Sequence, residues 1–172
     1  MQLKKGVRDT LGSIEAAERI LQLSESKSAQ LDATINLMEL YYGINQKSKA
    51  QQFAVKITNI DIANTESKQA AALILGQLAL ENSDYPQAMI EFTKVYEAQK
   101  NIKAAQARYL MAKTHYLRKE WSAAQTTIFD LAAKMPYFDE WVARGFVLLA
   151  RVYQAQGNIP QAIATLKSAL IS

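Results

Sequence analysis

Apolar residues recur along this chain at steps of three and four, the spacing that gathers side chains on one face of an α-helix. The pattern is clearest towards the end. Phe146, Leu149, Ala150 and Tyr153 form one stripe; Ile159, Ala162, Ile163, Leu166, Ala169 and Leu170 form a second. Gly157-Asn158 lies between them, so two helices joined by a tight turn are predicted. Ala150 and Ala162 are small and permit the two helices to approach closely.

The paired arrangement occurs three more times upstream. Leu37, Met38 and Tyr41 precede Ala50, Ala54 and Ile57, with Gly43-Ile44-Asn45-Gln46 as the turn. Leu75, Gly76 and Ala79 precede Ala88, Phe92 and Val95. There Asp84 can cap the free N–H groups of the second helix, and Pro86 suits its first turn. Met111, Ala112 and His115 precede Trp121, Ala124, Ile128 and Leu131. The small residue of each second helix stands at 50, 88, 124 and 162, intervals of 38, 36 and 38 residues. Longer connections at 59–66 and 136–140 account for the wide spacing. Within the second of these, Trp141 is expected to begin a helix and pack between repeats.

These paired stripes, with Asp84-Tyr85-Pro86-Gln87-Ala88 and Pro136 at a repeat end, resemble the tetratricopeptide repeat (TPR), whose period is near 34 residues. The resemblance covers the chain from Ser28 onward. It implies an all-α fold, a right-handed α-solenoid of antiparallel helix hairpins forming a TPR-like superhelix. The expected repeats are 28–65, 66–100, 101–137 and 138–172. Before them, Leu11-Gly12-Ser13-Ile14 predicts a turn, and Ala17, Ile20 and Leu21 a second helix. The first helix of that pair would lie upstream of Met1. Segment 1–27 is thus expected to be a partial N-terminal repeat, and the chain a fragment of a longer protein. The overall pattern is also similar to TPR segments of large bacterial cell-envelope proteins, which leaves the periplasmic side of the envelope and the cytoplasm both open.

Composition narrows the chemistry. With 49% apolar residues, only six Gly and three Pro, the 172 residues suit helices with short connections. The absence of cysteine excludes disulfides and thiolate metal sites. The first eight residues hold no apolar stretch of signal-peptide type, and no run of about 18 apolar residues occurs. His115 is the one histidine and reads as a packing residue with a polar tip; no second ligand stands at metal-site spacing. No phosphate-binding glycine loop and no G-x-S-x-G elbow is present. The expectation is a protein that is not an enzyme, with no cofactor, no metal and no small-molecule substrate.

The TPR resemblance implies that first helices line a concave groove that binds proteins or peptides. Beside each packing stripe runs a row at spacings of four and three: Ile35, Glu39, Tyr42; Leu73, Gln77, Leu80; Tyr109, Lys113, Tyr116; and Val147, Arg151, Gln154. The candidate partner-binding residues are Glu39, Tyr42, Gln77, Tyr109, Lys113, Tyr116, Arg151 and Gln154. The middle members pass from Glu39 through Gln77 to Lys113 and Arg151, so charge turns positive along the groove and suits an acidic partner. The lysine and asparagine set of TPR domains that clamp a C-terminal carboxylate is not matched. The primary reading is a non-catalytic protein–protein interaction scaffold. One alternative is a structural self-assembly module, a homo-oligomer formed through exposed end helices. The other is a basic nucleic-acid-binding helical repeat, drawn from the net charge of +4 and from Lys113, Arg118 and Lys119 beside Tyr109 and Tyr116.

Overall fold

Connections of three to six residues separate successive helices, a length that suits antiparallel hairpins. The computed structural model describes the backbone of residues 2–169 and the side chains of residues 9–169. Among the described residues there are nine helices and no strand. They are α1 (Gln2–Leu23), α2 (Lys27–Gly43), α3 (Lys47–Thr58), α4 (Thr65–Glu81), α5 (Tyr85–Ala98), α6 (Ile102–Leu117), α7 (Trp121–Lys134), α8 (Asp139–Ala155) and α9 (Ile159–Ala169). Leu170, Ile171 and Ser172 lie outside the described residues. The chain divides into two compact units, Met1–Leu78 and Ala79–Ser172.

Four of the turns share one backbone design. Asn45, Ser83, Lys119 and Gly157 all take positive φ, between 61° and 78°. The residue after each donates its N–H back to a carbonyl five residues earlier: Gln46 to Tyr41, Asp84 to Ala79, Glu120 to His115 and Asn158 to Tyr153, at 2.8–2.9 Å. The left-handed residue itself donates three residues back, to Tyr42, Leu80, Tyr116 and Gln154 respectively. This is the Schellman pattern, which satisfies the last carbonyls of the first helix. The same following residue then opens the second helix, its carbonyl accepting from Ala50, Ala88, Ala124 or Ala162. Asp84 and Asn158 also cap with their side chains, accepting from the N–H groups of Gln87 and Gln161. In the first of these turns Asn45, not Gly43, supplies the left-handed conformation.

The first unit holds α1 to α3 and most of α4. Ile14 and Ala17 of α1 join Leu37, Tyr41 and Ala50 in one cluster. Tyr41 stacks on Phe53 at 5.7 Å and donates to Glu18 at 2.6 Å, which ties α1, α2 and α3 together. A second cluster unites Met38, Ala54, Ile57, Ala71 and Ile74, so the start of α4 covers the other side of α2 and α3. One expectation is corrected here. Leu11 to Ile14 form no turn: α1 runs unbroken through Gly12, and Ser13 Oγ donates to the Asp9 carbonyl four residues back, as a helical serine does. Gly12 is exposed and takes an ordinary φ, so its low helix propensity is a small local cost. The continuous burial of Ile14 and Ala17 outweighs it, while Ile20 points to solvent.

The second unit holds the end of α4 and α5 to α9. Its hairpins α6–α7 and α8–α9 pack internally, α5 packs on α6, and α6 and α8 touch directly. Gly145 of α8 lets that helix approach α7: a Cβ there would sit 3.3 Å from Ile128. Trp141 lies in the first turn of α8, which begins two residues earlier than expected, and packs with Leu131, Met135 and Tyr109. An ion pair, Arg108 to Asp130 at 2.6 Å, joins α6 to α7, and Lys134 reaches the same carboxylate at 2.7 Å. Burial on its own pushes the Asp130 carboxyl up. The hydrogen bond from Lys134 and the Arg108 guanidinium outweigh it and hold the group below its ordinary value.

Candidate partner-binding surface

In the second unit α6 and α8 present the rows read from the sequence, and helix geometry sets what each member does. Residues four apart share a face, so Tyr109 and Lys113 project together from α6, as do Val147 and Arg151 from α8. Because α7 reverses the chain between them, α6 and α8 run the same way, and the two pairs lie in matching order.

An open cleft of about 340 Å³ lies between these helices. Its floor is apolar, made by Tyr109, Val147 and Leu148; its walls carry Glu140, Arg144 and Arg151. The Tyr109 ring is fixed against Trp141, with centroids 5.7 Å apart, so the floor is preorganised. Leu148 is buried, whereas Val147 keeps 41% of its surface exposed. The two ends of the cleft differ in charge. Arg144 donates twice to Glu140, at 2.8 and 3.1 Å, and its guanidinium lies over the Trp141 ring at 5.0 Å. Those two charges satisfy one another. Arg151 forms no ion pair among the described residues, and neither does Lys113 one turn beyond Tyr109 on α6.

Of the eight candidate residues, Tyr109 and Arg151 meet in this cleft. Lys113 and Gln154 are exposed on the same two helices but do not line it. Tyr116 is half-buried and packs against Trp121 at 5.5 Å, so much of its ring serves the packing of α6 on α7. Glu39, Tyr42 and Gln77 belong to the first unit. Glu39 is exposed and lines a separate cleft with Ser13, Asn36 and Leu40, between α1 and α2. Tyr42 and Gln77 are half-buried, and Tyr42 packs against both clusters of that unit.

Glu140, Ala143 and Arg144 were not anticipated as site residues. Their signal was present as a Glu four residues before an Arg, but such pairs stabilise many helices and carry no functional meaning alone. His115 behaves as a turn residue: its Nδ1 lies 2.7 Å from Glu120 Oε2, bracing the connection from α6 to α7. No group of three or more His, Asp or Glu suited to a metal ion occurs among the described residues. Arg118, one of the three cations of the nucleic-acid reading, is paired with Glu120 at 2.8 Å. No described helix is long and apolar enough to cross a membrane.

No protein-family model matches the sequence, and no curated protein matches it. Solved structures do resemble it. A crystal structure of MamA superposes with a TM-score of 0.73 at 19% identity, covering 97% of this chain and 90% of that one. A MamA chain described as MSR-1 C2 gives 0.64 at 17% identity over 96% and 91%. The crystal structure of BtubC from P. vanneervenii gives 0.56 at 12% identity over 98% and 90%. At such low identity the likeness speaks for the fold. Together with the four recurring Schellman hairpins it makes this chain an all-α helical-repeat protein of the TPR-like α-solenoid fold.

Proposed function

We propose that the chain is a non-catalytic protein-interaction scaffold whose second unit docks a segment of another protein in the cleft between α6 and α8. The observation that carries this reading is the coincidence of an apolar floor, held by the Tyr109–Trp141 contact, with a guanidinium at its rim, Arg151, that forms no ion pair among the described residues. Tyr109 and Trp141 are already fixed against each other, so docking orders little on the protein side. Aromatic and arginine side chains at a surface are also the types that contribute most to binding. The helical-repeat fold, shared with MamA, is compatible with this role.

Filling the cleft tests the reading. Ala143 is exposed on the cleft wall, so Ala143→Trp occupies the space without disturbing the core. Capture of partners from a lysate is expected to fall about tenfold or more with Ala143→Trp. Thr126→Trp, on an exposed position of α7, is expected to leave capture intact. Equal capture by both variants contradicts the proposal.

A second reading rests on a different surface. Ile159, Ile163 and Leu166 of α9 stand at spacings of four and three, and each keeps 42–49% of its surface exposed. This apolar stripe favours association between copies of the chain. It is compatible with the scaffold role, since a self-assembled array still presents its clefts.

A further inference from the structure

The α8 wall of the cleft has a direction. In chain order it presents Glu140 paired with Arg144, then Val147 and Leu148, then Arg151, over about 16 Å of helix. The near end is electrically closed. Glu140 has its charge answered by Arg144, and Arg144 is further held by the Trp141 ring. At the far end Arg151 is exposed and forms no ion pair among the described residues, and Lys113 extends the same sign from α6. An incoming carboxylate gains at the Arg151 end, where the guanidinium pairs with no anion among the described residues and Lys113 stands nearby on α6 without lining the cleft. At the Glu140 end it meets a carboxylate first, and like charges brought together disfavour that placement.

We infer that the cleft selects an internal protein segment in which one large apolar side chain is followed or preceded, within a helical turn, by acidic side chains on one side only. The apolar side chain rests on Tyr109, Val147 and Leu148, and the acidic residues lie towards Arg151. This rests on the docking role proposed above and adds the chemistry of the partner and its polarity. Arg151 is the specificity-determining residue, because a guanidinium grips a carboxylate through two parallel hydrogen bonds. Glu140 sets direction by excluding acid from the other end. A free chain terminus is not required, since the recognised charge comes from side chains.

The test is selection from a random library of segments about 12 residues long, displayed within a loop so that no terminus is free. The full chain and three variants serve as bait: Arg151→Glu, Val147→Asp and Glu140→Gln. All three substituted positions are exposed in the folded chain, and unchanged circular dichroism and melting verify each bait. The expected winners on the parent chain carry an apolar residue with acids on one side, and bind Arg151→Glu about tenfold or more weakly. On Glu140→Gln, which releases Arg144, acids are expected on both sides of the apolar residue. Neutral or basic winners, or acidic winners indifferent to Arg151→Glu, overturn the inference. So does a winning set unaltered by Glu140→Gln. If winners lose binding to Val147→Asp but not to Arg151→Glu, the docking role stands and the acidic selectivity falls. If neither substitution matters, the docking role falls as well.

Discussion

At the scale of single residues, charge placement separates stabilising groups from binding groups. Arg108, Lys134 and Asp130 pair with one another within the second unit, whereas Arg151 and Lys113 form no ion pair among the described residues. The distinction leaves a signature in pH dependence. The unfolded chain takes up the Asp130 proton near pH 4, and the folded chain only at lower pH, because Lys134 and Arg108 favour the anion. Asp130 thus contributes stability at neutral pH that is lost as pH falls through its folded-state value. Asp130→Asn is expected to lower the melting temperature at pH 7 and to flatten the decline below about pH 4. Thermal melts from about pH 7 to 3 check this; a parallel decline in both proteins contradicts it. Much at this scale was illegible in the sequence. Arg108 and Asp130 are 22 positions apart on different helices, so no local spacing announces their pairing. Arg144 was hidden for the opposite reason: its partner Glu140 is so near that the pair looks like ordinary helix decoration.

Elements are governed by the turns. Four left-handed residues close four hairpins with the same hydrogen bonds, yet only one of them is glycine. A side chain at positive φ costs roughly 1 kcal/mol, so the positions are not equally relaxed. Gly157→Ala is expected to destabilise the α8–α9 hairpin by about 1 kcal/mol, and Ser83→Gly to stabilise the turn that ends α4 by up to about 1 kcal/mol. Urea melts of the two variants measure both; equal and negligible shifts refute the assignment. The hairpins themselves were readable, because burial of a helix stripe dictates steps of three and four. Ala50, Ala88, Ala124 and Ala162 marked the second helices correctly, and the left-handed residues precede each by five positions. The start of the chain was misread at Gly12. Glycine signals a turn only where the backbone takes positive φ, and α1 instead continues through it to bury Ile14 and Ala17.

For the molecule as a whole, the fold was legible because repetition supplies the same evidence four times over. The site was legible only in part. Rows drawn on first helices include Tyr109 and Arg151, which line the candidate cleft, but spacing does not tell a ring packed between helices, such as Tyr116, from one that lines an open cleft. Nor could they show that Glu39 lines a different cleft, against α1. The exposed stripe on α9 bears on assembly. Light scattering over a range of concentrations is expected to show a rising mass that Ile163→Asp with Leu166→Asp abolishes; a constant monomer mass removes self-assembly from consideration. The docking role is examined most directly by placing a photo-crosslinking amino acid at Ala143, and separately at Thr126, and irradiating each chain with lysate. The account predicts a discrete partner crosslinked from Ala143 and diminished by excess of an acidic, apolar segment. Equal labelling from Thr126, or none from Ala143 while partners are still captured, contradicts it.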